Sequence, residues 1–149
     1  MNWPVGIGGK GSEGVSGQVK QTVNSIGYVE LIYAVQNNLP YANVKNSAGT
    51  FIKPDLGTTT AAATAVAKNM PDDFRISITN APGKEAYPIS TFTWLLIPEK
   101  IEDQAKHKAI TDFLRWMLTS GQDMTEALTY ARLPKEVVAK EKKAIEKVK

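Results

Sequence analysis

Cysteine is absent from the 149-residue sequence, which excludes disulfides, thiolate nucleophiles and cysteine-ligated zinc and leaves the redox compartment open. Histidine occurs once, as His107. One imidazole cannot build a multi-histidine metal centre, and with Cys also missing a Ser-His-Asp or Cys-His arrangement is nearly excluded. His107 stands between Lys106 and Lys108, on a helix whose apolar face lies elsewhere, so it reads as a solvated side chain. No uninterrupted apolar run approaches the ~20 residues of a membrane helix. The opening "MNWPVGIGG" has neither the charged start nor the apolar stretch of a signal peptide, so no export signal is read in this chain. A strong excess of one charge is missing too: 18 basic and 15 acidic residues leave +3. They are scattered, with no basic block interleaved with aromatics, and nucleic acid is not an expected partner.

What is present is a globular composition, 42% hydrophobic and 22% charged, in a length suited to one ordinary domain. Ser12 is a candidate N-cap for a helix to about Val23, with Val15, Val19 and Val23 at intervals of four. "SIGYVELIYAV", 25–35, reads as a strand buried on both faces that runs into a helical turn at "QNNLP". "YANVKNSAGTFIKP" reads as a hairpin, with Tyr41, Val44, Phe51 and Ile52 on its strands and "NSAG" at the turn. The threonines of "LGTTTAAATAVAKNM" cap an alanine-rich helix from about Thr59 to Lys68, ended by Asn69 and Pro71. "FRISITN" is a short strand with Phe74, Ile76 and Ile78 on one face, and "ISTFTWLLIP" is the strongest strand signal in the chain.

Ala109, Ile110, Phe113, Leu114 and Met117 form one stripe of a helix over 102–120, with Gly121 at its C′ position. Helices over 122–129 and 134–148 follow, the second with Pro134 in its first turn and Val137, Val138, Ala144, Ile145 and Val148 on its apolar face. Strands separated by helices predict an α/β layered fold with a largely parallel sheet.

Several residues invite a chemical reading. "GIGGKGSEG" contains Gly6, Gly8 and Gly11 in the spacing of a dinucleotide loop, yet no strand precedes it and the helix after it is short and broken by Gly14 and Gly17. A Walker loop is excluded because Gly11 separates Lys10 from Ser12. The segment reads as a structural turn that can offer a weak anion site from Lys10, Gly11 and Ser12, as helix starts do. Asp72 and Asp73 read as turn carboxylates. Glu30, inside the apolar strand, is either a carboxylate of raised pKa, an ion-pair member or a residue near the strand's end. Trp94 and Trp116 are expected in the core. The lysines of "KEVVAKEKKAIEKVK" form a solvated face. No cofactor and no enzyme emerge from these residues.

Taken together, "WPVGIGGKGSEGV", "SIGYVELIYAVQNNLPYANVKNSAG", "AYPISTFTWLLIP" and "ALTYARLPKEVV" resemble the C-terminal part of the bacterial phosphate-binding proteins of phosphate ABC transporters. The resemblance covers essentially the whole chain. It implies a type II periplasmic-binding-protein fold in which two α/β lobes close on a ligand, a periplasmic location, no catalysis, and inorganic phosphate and a membrane permease as partners. Residues 1–87 are then part of the second lobe and 88–149 the hinge-return strand and C-terminal helices of the first, with "AYPIST" at the crossing. The family's phosphate ligands lie upstream of the matching segment, and Arg75, Arg115 and Arg132 do not stand in its "RxxxSGT"-like motif. No phosphate ligand carries over to this chain. The incomplete lobes are expected to pair with a missing N-terminal half or with a second copy. A standalone interaction module on the same scaffold is the alternative expectation.

Overall fold

Helix is the main regular structure of residues 4–149, the part of the chain that the computed structural model describes. The element order is α1 (Gly11–Gln21), α2 (Leu31–Gln36), β1 (Val44–Lys45), β2 (Phe51–Ile52), α3 (Leu56–Ala67), α4 (Gln104–Met117), two 3₁₀ segments (Ser120–Met124 and Glu126–Leu128) and α5 (Lys135–Ile145). Two compact units divide at Ala42 and Asn43.

In the first unit, α1 is held by close approach. Gly27 packs so tightly on it that an added Cβ would lie 2.7 Å from Val19 Cγ2 and 3.0 Å from Val15 Cγ1. Ser16 is buried and donates to the Ser12 carbonyl at 2.7 Å. The cap lies at Lys10 and not at Ser12, with no side-chain capping bond. Val23 falls beyond the helix and is 87% exposed, so only Val15 and Val19 serve the apolar face.

The strand expected from Ser25 is replaced by an irregular stretch to Glu30 followed by the six-residue α2. Apolar β-branched residues mark a strand only where a neighbour completes the ladder; the described residues supply none here.

In the second unit, β1 and β2 form the expected hairpin, antiparallel with Val44 opposite Ile52 and Lys45 opposite Phe51. It is the one sheet among the described residues, which corrects the expectation of a largely parallel sheet. The turn is locked by Asn46. Its Oδ1 accepts from the amides of Ala48 and Thr50, both at 3.1 Å. Its Nδ2 donates to the carbonyls of Gly83, Lys84 and Ala86 at 3.0–3.1 Å.

The cap of α3 is Asp55 rather than a threonine: Asp55 Oδ1 accepts from Thr58 N at 2.8 Å, and Thr58 Oγ1 accepts from Asp55 N at 3.1 Å, a reciprocal capping box. Small side chains let this helix sit close to its neighbours. Ala62, Ala63 and Val66 pack with Ile78, Ala81 and Ala86, and Ala67 packs with Met70 and Val137.

"FRISITN" keeps its two-residue alternation, with Phe74 and Ile76 half-buried and Ile78 buried between exposed neighbours, but it is not laddered as a strand. The 89–98 segment likewise carries no strand. Both corrections have the cause given for 25–30.

The helix expected over 102–120 is shorter, capped by Asp103, whose Oδ1 accepts from Ala105 N and Lys106 N at 2.9 and 3.0 Å. Its inward face carries His107, Ile110, Thr111, Leu114 and Met117, whereas Ala109 and Phe113 are exposed. Gly121 is not a C′ residue but is buried against Trp116, where a Cβ would meet the Trp116 carbonyl at 3.0 Å.

Residues 122–129 form tight 3₁₀ turns rather than an α-helix, ending at Thr129 with φ +56°. Gln122 bridges them to both flanks, donating to the Met117 carbonyl and accepting from Leu133 N, each at 2.9 Å. Pro134 caps α5 one residue before its start, and Val137 and Ile145 are buried as the apolar stripe requires.

Candidate functional site

The glycine-rich start of α1 is the natural place to look for an anion. Gly6 and Gly11 take φ values of +122° and +66°, and Gly9 lies against the first turn so closely that a Cβ would come within 2.6 Å of Val15 N. Glycine is required there for backbone contact and chain reversal. The exposed Lys10 accepts at its carbonyl from Gly14 N at 3.2 Å. Glu13 occupies the same first turn, with one carboxylate oxygen 3.1 Å from the Cβ position of Gly11. The other oxygen accepts from Tyr33 OH at 3.1 Å, and this bond holds the Tyr33 phenol above its ordinary pKa. A negative charge therefore already complements the positive end of the α1 dipole. The consecutive Lys10, Gly11 and Ser12 stand beside the Glu13 carboxylate, which opposes a bound anion.

The three arginines are each engaged. Arg75 pairs with Asp73 at 2.7 Å, Arg115 with Asp112 at 3.5 Å, and Arg132 with both Asp123 at 2.8 Å and Glu126 at 2.9 Å. Hydrogen bonding from Arg75 holds the Asp73 carboxyl below its usual range, and Lys108, with Arg115 adding to it, does the same for Asp112. Asp73 Oδ1 also accepts from Arg75 N at 3.1 Å, which makes it the turn carboxylate expected. A guanidinium already paired with a carboxylate has less charge to offer a second oxyanion.

Other singled-out residues fall elsewhere. Glu30 is exposed at the N-cap of α2 and is not a buried carboxylate inside a strand. His107 is half-buried and not solvated: its Nε2 lies 3.1 Å from the Val148 carbonyl. Trp94 is 47% exposed and donates through Nε1 to the Phe74 carbonyl at 3.2 Å. Trp116 is 43% exposed and stacks on Phe113 with ring centroids 5.7 Å apart. Neither tryptophan is a core residue. Among the described residues no cluster of His, Asp and Glu could hold a metal, and no helix is long and apolar enough to cross a membrane. A shallow depression of about 450 Å³ is lined by Ala34, Val35, Asn38, Leu39, Pro40 and Tyr41, with no charged group in its wall.

Glu141 is the carboxyl that sequence reasoning passed over among the lysines of α5. Burial raises its pKa. From the ordinary glutamate value of ~4.3 up to that raised value, the folded chain binds more protons than the unfolded one, so stability falls as pH rises through the window. Glu141→Gln is expected to raise the melting temperature by about 2–4 °C at neutral pH and by less near pH 4, read in thermal melts at both pH values.

No family model matches the chain. Sequence relatives do. The phosphate-binding protein PstS of Xylella fastidiosa strain Temecula1 is 41% identical over 138 residues, which is 93% of this chain and 38% of the relative. That of Methanocaldococcus jannaschii is 40% identical over 154 aligned residues, 92% of this chain and 39% of the relative. That of Pasteurella multocida is 36% identical over 140 residues, 94% and 41%. The chain spans about two fifths of the length of these curated relatives.

Proposed function

For a chain that is a relative of the PstS phosphate-binding proteins along nine-tenths of its own length, we propose that it is the C-terminal scaffold of a solute-binding protein serving phosphate uptake through an ABC-type permease in the periplasm. Its role is binding and not catalysis. The observation that carries this reading is the similarity itself, maintained at 36–41% identity across nearly the whole chain in relatives from two bacteria and an archaeon. The engagement of Arg75, Arg115 and Arg132 by carboxylates supports the second half of the reading: the groups that grip phosphate belong to the part of the family's length that this chain does not span.

We assign residues 1–87 to one lobe and 88–149 to the other, of a two-lobed fold. The crossing at "AYPIST" is supported by buried Ala86, Pro88 and Ser90 and by bonds that anchor it, Tyr87 N to the Thr58 carbonyl at 3.1 Å and Asn80 N to the Pro88 carbonyl at 2.7 Å. Lys10, Gly11 and Ser12 form at most a weak anion site, displaced by salt because the amides and the lysine are exposed and Glu13 opposes the ligand.

Isothermal titration of this chain with inorganic phosphate is expected to show no binding tighter than about 1 mM. Tight one-to-one binding by the chain alone would overturn the assignment of the ligands to the remaining sequence.

A further inference from the structure

Sulfur chemistry in this chain falls to methionine, since cysteine is absent and four methionines are present. Met70 is 4% exposed, packed in the core with Ala67 and Val137. Met117 is half-buried on the inward face of α4. Met124 differs from both: it is 60% exposed at the end of the first 3₁₀ segment. Its presentation to water is built into that segment. Gln122 is tied to the Met117 carbonyl and to Leu133 N, each at 2.9 Å. Asp123 is held by Arg132 at 2.8 Å, and Thr125 Oγ1 donates to the Gln122 carbonyl at 2.9 Å. With the residues on either side fixed, the Met124 thioether is exposed by the fold and not by fraying.

A thioether reacts with hydroperoxides at a rate governed by access to its sulfur. The sulfur lone pair attacks a peroxide oxygen, the S–O bond forms as the O–O bond breaks, and a proton moves to the departing oxygen. Sulfur loses two electrons and the peroxide gains them, leaving water from hydrogen peroxide or an alcohol from an organic hydroperoxide. We propose that Met124 is the peroxide-reactive site of the described chain, taking up one oxygen as methionine sulfoxide while the fold stays intact. The fold survives because the new S=O dipole is hydrated where it forms. At Met70 the same dipole would be buried against Ala67 and Val137, at a cost to stability. Return to the thioether requires a thiol-dependent sulfoxide reductase, which removes the oxygen as water while a dithiol becomes a disulfide. The site is independent of the phosphate reading.

Graded hydrogen peroxide on the folded chain, followed by peptide mass mapping and thermal melts, tests the assignment. Met124 is expected to gain oxygen at least ~tenfold faster than Met70 and Met117, and chains oxidised at Met124 to melt within about 1 °C of the parent. In concentrated guanidinium the three rates are expected to converge, because burial no longer separates them. Met124→Leu is expected to keep the parent melting temperature and to lose one equivalent of fast peroxide uptake. Comparable rates at the three methionines in the folded chain would overturn the proposal, as would a preference for Met124 that persists in denaturant. Loss of helical circular dichroism on oxidation at Met124 alone would overturn it as well.

Discussion

Asn46→Ala is expected to destabilise the second unit by about 3 kcal/mol, the largest effect of any single hydrogen-bonding side chain described above. The Asn46 amide is 6% exposed and serves five backbone partners, the Ala48 and Thr50 amides within its own turn and the Gly83, Lys84 and Ala86 carbonyls of a distant loop. Alanine leaves the buried Ala86 carbonyl without this donor and removes four part-buried bonds, two to the 83–86 loop and two within the turn. Each orphaned buried group costs about 1–3 kcal/mol, and the sum is less than additive because the loop relaxes. Asn46→Asp is the sharper variant: it exchanges the donating amide for a carboxylate oxygen pointed at three carbonyls, so it costs at least as much at neutral pH.

Urea unfolding followed by circular dichroism reads both variants. A loss under about 0.5 kcal/mol would show that the loop is held by something else. The functional stake is the 83–86 loop, which leads directly into the proposed crossing at Tyr87 and Pro88. A slack loop there would misplace everything that follows.

Gly9→Ala is the second large effect. Its Cβ would sit 2.6 Å from Val15 N, 2.7 Å from Gly14 C and 2.9 Å from Val15 Cα, all backbone atoms that cannot swing away. The chain must therefore lift off α1, at an expected cost of about 2–4 kcal/mol to the first unit. Gly8→Ala, one residue earlier with nothing within 4 Å, is expected to stay within about 0.5 kcal/mol of the parent. Amide exchange along α1 separates the two: rapid exchange in the Gly9 variant and parent-like protection in the Gly8 variant. Equal behaviour would mean that the glycines serve turn freedom alone and that the contact with Val15 is immaterial. A titration with sulfate run beside these melts would also register the weak anion site, which Glu13→Gln is expected to strengthen by removing the opposing charge.

The glycine-rich start shows how sequence reading and structure divide the work. Its spacing, with lysine and serine separated, argued for a structural turn over a nucleotide cradle. That Gly9 is a contact residue and Glu13 the resident anion required the fold. His107 is parallel. Between two lysines it reads as solvated, yet α4 is rotated so that it faces the Val148 carbonyl while Phe113 and Trp116 turn outward. Helical periodicity fixes which residues share a face, and here that face was displaced by about one position from the one hydrophobicity alone selects.

The same sequence determines by itself the helical cores of α3, α4 and α5, the β1–β2 hairpin about its "NSAG" turn, the absence of thiol and multi-histidine chemistry, and similarity to the phosphate-binding proteins. These follow from interactions that are local, the i to i−4 bond of a helix and the Asx turn of Asn46, or from composition. Tertiary structure alone decided that 25–30, 74–80 and 89–98 form no strand ladders, that Asn46 reaches across to Gly83, Lys84 and Ala86, and that Glu141 is half-buried with its pKa raised. A strand, a distant hydrogen bond and a buried charge each depend on a partner remote in the chain, and no local pattern of residues can say whether that partner is there.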